Sequence, residues 1–397
     1  METETDQMVN VKEKVAQYKD DMVRVRRYLH AHPELSKQEY ETCKYVQQEL
    51  AKKGIPFELT PSQRSIVATV KGAHPGKTVV LRADYDALPV QENTGLPFSS
   101  EVDGVMHACG HDTHAAIGLE TAWILNDLKD QLHGTYKVLF QEAEEVMFGA
   151  LHALESGLLD DCDNSLMLHV AVDHDTGVFL CNYGVRCAKV GNCVIDVKGR
   201  AGHSSRPEQG VNAALVGAKI VSALADITAY ELPRSEFVVF SPTVISSGTK
   251  ENIIPGECHI LANARYFDDK YDEILGNAVK RVAKGIADSY GAEVTVSFEG
   301  EGTPMINDKE STDRALNIIR RLWGEEYIDY TPAGLFGDDF AFIQKKIPGV
   351  VVNLGAAKDG QYTIGHNEKM MVDEDYMDIG SEFIVTYVLE YLGVECP

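Results

Sequence analysis

The spacing of apolar positions divides the chain into three stretches. From Val11 to His30 the apolar residues recur at helical intervals, and Pro33 marks a break. Ser36 with Glu39 has the form of a capping box opening a second helix, which Gly54 closes as a C-cap. Short apolar runs then alternate with helical patterns. Strands are expected at Ser65–Val70, Thr78–Ala83, Thr135–Phe140 and Ser165–Leu168, and helices over Thr113–Leu128 and Gly149–Ser156. The unbroken runs Val79-Val80-Leu81 and Val138-Leu139-Phe140 fit strands covered on both faces. An α/β sheet that is at least partly parallel follows.

From about Lys189 the texture changes. Strands are expected at Asn192–Lys198, Glu236–Val244, Cys258–Tyr266 and Glu293–Phe298, with helices over Val211–Ala229 and Ile274–Ala287. That β-α-β-β-α-β order predicts a small α+β domain of ferredoxin-like type, with helices on one face of an antiparallel sheet. The first texture returns with a helix from Thr312, a strand at Val350–Leu354 and a closing helix from Asp375 to Leu392. The expected organisation is an α/β catalytic domain, its mostly parallel sheet flanked by helices, built from residues 1–187 and 301–397. An α+β domain at 188–300 interrupts it.

Composition narrows the partners. Across 397 residues, 37 Lys and Arg face 61 Asp and Glu, a formal net charge of −24. A field of that sign repels nucleic acid and anionic membrane surfaces. A homodimer or larger oligomer has to keep those carboxylates out of its interface. The polar, acidic stretch Met1 to Asn10 does not read as a signal peptide, and no run approaches about 18 uninterrupted apolar residues. Eight cysteines without a CxxC pair do not form a disulfide framework, so a reducing, cytoplasmic setting is expected.

The chemistry lies where strands end. Thr78–Ala83 runs into Asp84-Tyr85-Asp86, Thr135–Phe140 into Gln141-Glu142-Ala143-Glu144-Glu145, and Ser165–Leu168 into His169. Ligands of an open α/β sheet bind at that edge. Between these strands stands Met106-His107-Ala108-Cys109-Gly110-His111-Asp112-Thr113-His114, whose thiol and imidazole two residues apart can reach one ion. Zinc, nickel and cobalt favour such donors, and carboxylates extend the choice to manganese. In Glu144-Glu145 one acid can bind metal while its neighbour takes a proton from the attacking water. Gly365-His366-Asn367 adds a late imidazole. Singly, each piece has a plainer explanation: a hydrogen-bonded histidine, a solvated acid pair, a buried thiol. Their combination outweighs it. His30, His32, His74, His133, His152, His174 and His259 lack such context and are expected to be structural. Cys181, Cys187 and Cys193 receive no role.

Six stretches then carry a resemblance. They are Ala83-Asp84-Tyr85-Asp86-Ala87-Leu88-Pro89, Met106 to His114, Gln141 to Glu145, Gly202-His203, Asn252-Ile253-Ile254-Pro255 and Asp338-Asp339-Phe340-Ala341. In this order the chain resembles the metal-dependent amidohydrolases that include hippurate hydrolases, N-acyl-amino-acid amidohydrolases and auxin-conjugate hydrolases. These belong to the wider aminoacylase and dinuclear-metal carboxypeptidase group. The likeness runs from Arg26-Arg27-Tyr28-Leu29-His30 to the last helix. It implies that Cys109, His111, Glu145, His169 and His366 ligate one or two divalent ions (manganese, zinc, nickel or cobalt). Glu144 is implied as general base, with Asp86 orienting the ligands from behind. In the inserted lid, His203 is implied as oxyanion donor, in some relatives supplied by a neighbouring subunit. Asn252 and Arg265 are implied to hold the substrate carboxylate; for Arg265 a strand-surface salt bridge is an equal alternative.

The chain departs from the family pattern in three places. Asp84-Tyr85-Asp86 replaces a His-x-Asp ligand motif. Glu142 replaces a proline, which should loosen the turn before Glu144. Asp338 stands one methylene short of the usual glutamate. The expected activity is hydrolysis of N-acyl amino acids. Its rivals are a dipeptidase or carboxypeptidase on the same ions, a non-catalytic binding protein, and a hydrolase using Cys109 as nucleophile.

Overall fold

The first helix spans Val11–Ala31 in the computed structural model, which describes residues 9–334 and 337–396. Asn10 caps it by accepting from the Glu13 N–H at 3.1 Å, and its Val15, Met22, Val25 and Leu29 face is buried. The second helix, Tyr40–Lys52, ends in a Schellman arrangement: Ile55 N–H reaches the Leu50 carbonyl and Gly54 N–H that of Ala51. Its start corrects the expected capping box. Ser36 donates to Asp86, Glu39 accepts from Ala143, and the Glu34 carboxylate instead receives the Glu41 and Thr42 N–H groups. Long-range acceptors and donors outcompete the local pair.

Two compact units form. The larger takes the described residues of Met1–Arg186, Ile306–Pro332 and Asp338–Pro397. Its eight-stranded sheet runs in the order Phe57–Leu59, Ile66–Lys71, His133–Gln141, His74–Asp84, Asn164–Asp175, Gly349–Ala357, Phe179–Leu180, Ile328–Asp329. The sheet is mixed, with parallel pairings at its centre flanked by antiparallel ones. His74–Asp84 lies parallel to both neighbours and Asn164–Asp175 parallel to Gly349–Ala357, whereas the first two strands pair antiparallel. The central strands carry the apolar runs because both faces are covered. A second correction concerns His169: its strand continues to Asp175, so His169 sits within it, opposite Asn353.

Helix His111–Asp127 is buried on nearly every side, between the sheet and the first and last helices, the latter Asp375–Tyr391. It carries Glu120, wholly buried, one oxygen taking the Ser381 hydroxyl and the other without a partner. Burial pushes this carboxyl from 4.5 up to about 8. The folded chain therefore binds the proton more tightly than the unfolded chain, and stability falls as pH climbs from about 4.5 through about 8. Glu120→Gln is expected to remove that loss, on the order of 4 kcal/mol between pH 5 and 8.5 at about 1.4 kcal/mol per pKa unit. Urea midpoints at pH 5 and 8.5 check it; parallel pH trends in the two proteins would contradict it.

The smaller unit, Cys187–Met305 with described residues of Ala333–Gly337, holds a four-stranded antiparallel sheet. Its order is Val238–Ser247, Glu257–Tyr266, Lys189–Lys198, Glu293–Glu301. Helices Ala213–Asp226 and Tyr271–Ser289 supply Ile220, Leu224, Leu275 and Val279 to a core shared with Ile195, Val197 and Ile260. Ala213–Glu231 is long and apolar enough to cross a membrane by length and composition alone, and its Val216, Ile220 and Leu224 are buried in this core.

Candidate metal centre

The Cys-Gly-His-Asp segment turns sharply into helix His111–Asp127. Gly110 adopts φ +84°, and a Cβ there would stand 2.6 Å from Val170 Cγ1, so only glycine fits. The turn sets Cys109 and His111 at the helix start. His111 Nδ1 lies 3.0 Å from the Asp86 carbonyl and 3.2 Å from its carboxylate. Both partners are acceptors, so Nδ1 carries the proton and Nε2 points into the cluster. His169 follows the same logic: Nδ1 donates to the Val170 carbonyl at 2.8 Å, and Nε2 stands 3.8 Å from Cys109 Sγ. Glu145 Oε1 lies 4.0 Å from His111 Nε2 and 3.5 Å from His366 Nε2. His366, exposed and at φ +61°, is tied by its N–H to the Ala108 carbonyl.

All five expected ligands thus meet. Cys109, His111 and His169 form one group of mutually close donor atoms, and Cys109, Glu145 and His366 another. His111 Nε2 and Glu145 Oε1 are buried without a hydrogen-bond partner, as befits atoms that face a cation. The electrostatics agree. Burial opposes charge on His111, yet Asp84 and the Cys109 sulfur outweigh it, so the ring attracts positive charge strongly. Burial pushes the His169 ring down to about 3 and, with no cation present, the Cys109 thiol up to about 12.

Glu144 Oε2 lies 4.0 Å from His111 Nε2. Burial, then Asp338 and Asp339, push its carboxyl well above the usual carboxylate range. Asp86 takes the Ser36 hydroxyl and the Glu145 N–H on Oδ2, so it braces Glu145 on one side and His111 on the other. The turn expected to be loose is not: Glu142 is buried, its N–H on Ser65 Oγ and its carboxylate on Arg64 Nε at 2.5 Å.

Comparison with known proteins places this arrangement. The family model "Peptidase family M20/M25/M40" matches residues 80–390. A thermostable carboxypeptidase of Saccharolobus solfataricus is 35% identical over 95% of this chain and 96% of its own. The chain belongs to peptidase family M20/M25/M40. An N-acyl-L-amino acid amidohydrolase of Geobacillus stearothermophilus is 36% identical over 77% of this chain and 82% of its own. A crystal structure from Bacillus subtilis, described as a dinuclear metal binding peptidase from the M20 family, superposes with a TM-score of 0.84. It is 31% identical and covers 96% of this chain and 100% of that one.

Sequence reasoning missed several residues in this M20 chain. His114 Nε2 accepts from the Val170 N–H at 3.0 Å and its Nδ1 donates to Asp84 at 2.6 Å, so both nitrogens are spent and the ring aligns the backbone beside His169. Asp84 itself is held by Arg82, which also reaches Asp339 at 2.8 Å and Gln141 at 3.1 Å. The available signal for His114 was its place one helical turn after His111. His30, expected to be structural, is clamped between Asp112 and Glu92; burial opposes its charge, Asp112 overrides it, and its pKa rises to about 9.

In the smaller unit of the M20 chain, His203 Nδ1 accepts from the Ser205 N–H at 3.1 Å, which leaves Nε2 as a donor. Strand pairing of Ile253 with His203 places Asn252 next to it. Arg265 stands elsewhere in the unit, paired with Val239 and Val190 in the four-stranded sheet, whereas His203 and Ile253 pair in a separate two-stranded ribbon. Arg265 makes no ion pair among the described residues.

Proposed function

We propose that this chain hydrolyses the amide bond of N-acyl amino acids, releasing a carboxylic acid and a free amino acid. The ligands are Cys109, His111, Glu145, His169 and His366; the two donor groups share Cys109, which supports a pair of ions. The soft and hard donors together suit manganese, zinc, nickel or cobalt. A divalent cation held there polarises the scissile carbonyl and lowers the pKa of water towards neutrality. The observation that carries the reading is a spare carboxylate, Glu144, beside a complete donor set.

Glu144 takes the proton of the attacking water and returns it to the departing amine, a task its raised proton affinity favours. Asp86 keeps His111 oriented and ties down the Glu145 backbone. His203 Nε2 donates to the developing oxyanion, and Asn252 with Arg265 takes the substrate carboxylate. Arg265 and the pair His203 and Asn252 belong to separate sheets of the unit, which supports a homodimer whose second copy supplies His203 and Asn252. The edge strand Val238–Ser247, with exposed Val239, Val244 and Ile245, is a suitable surface for that pairing. The cysteines, none in a disulfide, accord with the cytoplasm.

A second reading, a carboxypeptidase, is favoured by the name of the 35% identical relative. Stripping the metal is expected to abolish turnover, and adding back manganese, zinc, nickel or cobalt to restore it, with N-acetyl or N-benzoyl amino acids cleaved faster than dipeptides or blocked peptides. Faster peptide cleavage would establish the carboxypeptidase. Metal bound without hydrolysis across the panel would indicate a binding protein, and activity untouched by chelation a Cys109 nucleophile.

A further inference from the structure

The residues that open the second helix reach the centre itself. Glu39 is fully buried and turns Oε1 to the Ala143 N–H at 2.7 Å, one residue before Glu144. Ala143 is left-handed, at φ 53° and ψ 42°, and so is Met147, at φ 54° and ψ 40°, on the far side of the two acids. A non-glycine residue in that region costs about 1–2 kcal/mol and persists only where its surroundings hold it. Each restraint is identifiable. Ser65 Oγ takes the Glu142 N–H, Glu39 that of Ala143, and Asp86 that of Glu145. Ser36, three residues before Glu39, steadies Asp86 at 2.7 Å. Among the described residues Glu39 is the acceptor of the Ala143 N–H, and nothing else replaces it.

We infer that Glu39 is a positioning residue of the hydrolytic centre: by binding the Ala143 N–H it holds the left-handed turn that aims Glu144 at the reacting atoms and Glu145 at the cation. The inference rests on the roles proposed above for those two acids. What the turn needs from Glu39 is an acceptor, not a charge. Its other oxygen has no hydrogen bond and stands 3.8 Å from Arg64 Nε. Burial also lifts this carboxyl to about 7, so its surroundings do not favour the charge. A glutamine carbonyl can take the same N–H.

The test compares E39A, E39D and E39Q with the wild-type metalloenzyme, with E144Q as control. The readouts are kcat and KM on an N-acyl amino acid, metal content, melting temperature, and amide hydrogen exchange over residues 141–148. E39A is expected to lower kcat about 10–100-fold with KM within about twofold, and to speed exchange at Ala143. E39Q should stay within about threefold of wild type on both. If E39A does not fold, E39D, a methylene short of the N–H, supplies the same loss. Wild-type kcat and exchange in E39A, or E39Q as impaired as E39A, would overturn the inference. Full activity in E144Q would instead overturn the base assignment on which it rests, and the exchange readout, which needs no turnover, tells the two failures apart.

Discussion

Glu144→Gln is expected to lower kcat on N-acyl amino acids by about 10²–10⁴-fold, with metal content and melting temperature at wild-type values. The substitution keeps the shape of the side chain and removes only its capacity to take a proton. Nothing in the donor groups built on Cys109 needs Glu144, so the cation stays bound. The surroundings of the two acids support Glu144, rather than Glu145, as the proposed base. Both stand 4.0 Å from His111, but Glu145 also faces His366, whereas Glu144 is buried beside Asp338 and Asp339, which oppose its ionisation. A carboxyl so placed has a raised proton affinity, which suits taking a proton from the attacking water. Metal analysis alongside steady-state kinetics checks the expectation. An E144Q protein that keeps most of its activity would remove Glu144 from the mechanism.

Arg82→Met is expected to destabilise the fold by about 3–5 kcal/mol at pH 8, the cost of leaving buried charge without its partner. Arg82 is fully buried, with Asp84, Asp339 and Asp338 around it, the last at 3.5 Å. Burial alone would disfavour its charge; the three acids outweigh that and keep its pKa far above normal. Asp84 in turn is held well below the usual carboxylate range: burial works against its charge, and Arg82, His111 and His114 prevail. A depressed pKa contributes stability that is present above the unfolded value of 3.8 and is lost as pH falls through the folded one. Without Arg82 the acids protonate more readily, so the gap between variant and wild type should narrow as pH drops from 8 to 5.5. Urea unfolding at the two pH values measures it. A gap under about 1 kcal/mol, equal at both, would show that Arg82 does not hold the strand ends together.

The parts of the centre that could be read from the chain are those set by short-range chemistry. Cys109 and His111 flank a glycine, the residue that suits a sharp left-handed turn, and Glu144 and Glu145 follow an apolar strand, so both segments stand out locally. The misreadings share one cause. Ser36 and Glu39 have capping-box spacing, yet their side chains answer to Asp86 and Ala143, which lie far along the chain. Glu142 looked like a loosening substitution because its partner Arg64 stands 78 residues earlier. His169 was placed at a strand end because a polar residue appeared to close an apolar run, whereas pairing with Gly349–Ala357 carries the strand past it.

Residue types and periodicities alone settled the long central strands and helices, the β-α-β-β-α-β order of the smaller unit's main elements, and which atoms are available to bind a cation, but not the short strands Phe57–Leu59, Phe179–Leu180 and Ile328–Asp329. The first three are properties of neighbours a few bonds or one helical turn apart. Tertiary structure decided which of those atoms remain unsatisfied. His114 spends both nitrogens on Asp84 and Val170, while His111 and His169 each spend one and turn the other inward. A hydrogen-bonding valence is a local fact, but whether it is already used depends on burial and on partners that only folding brings within reach.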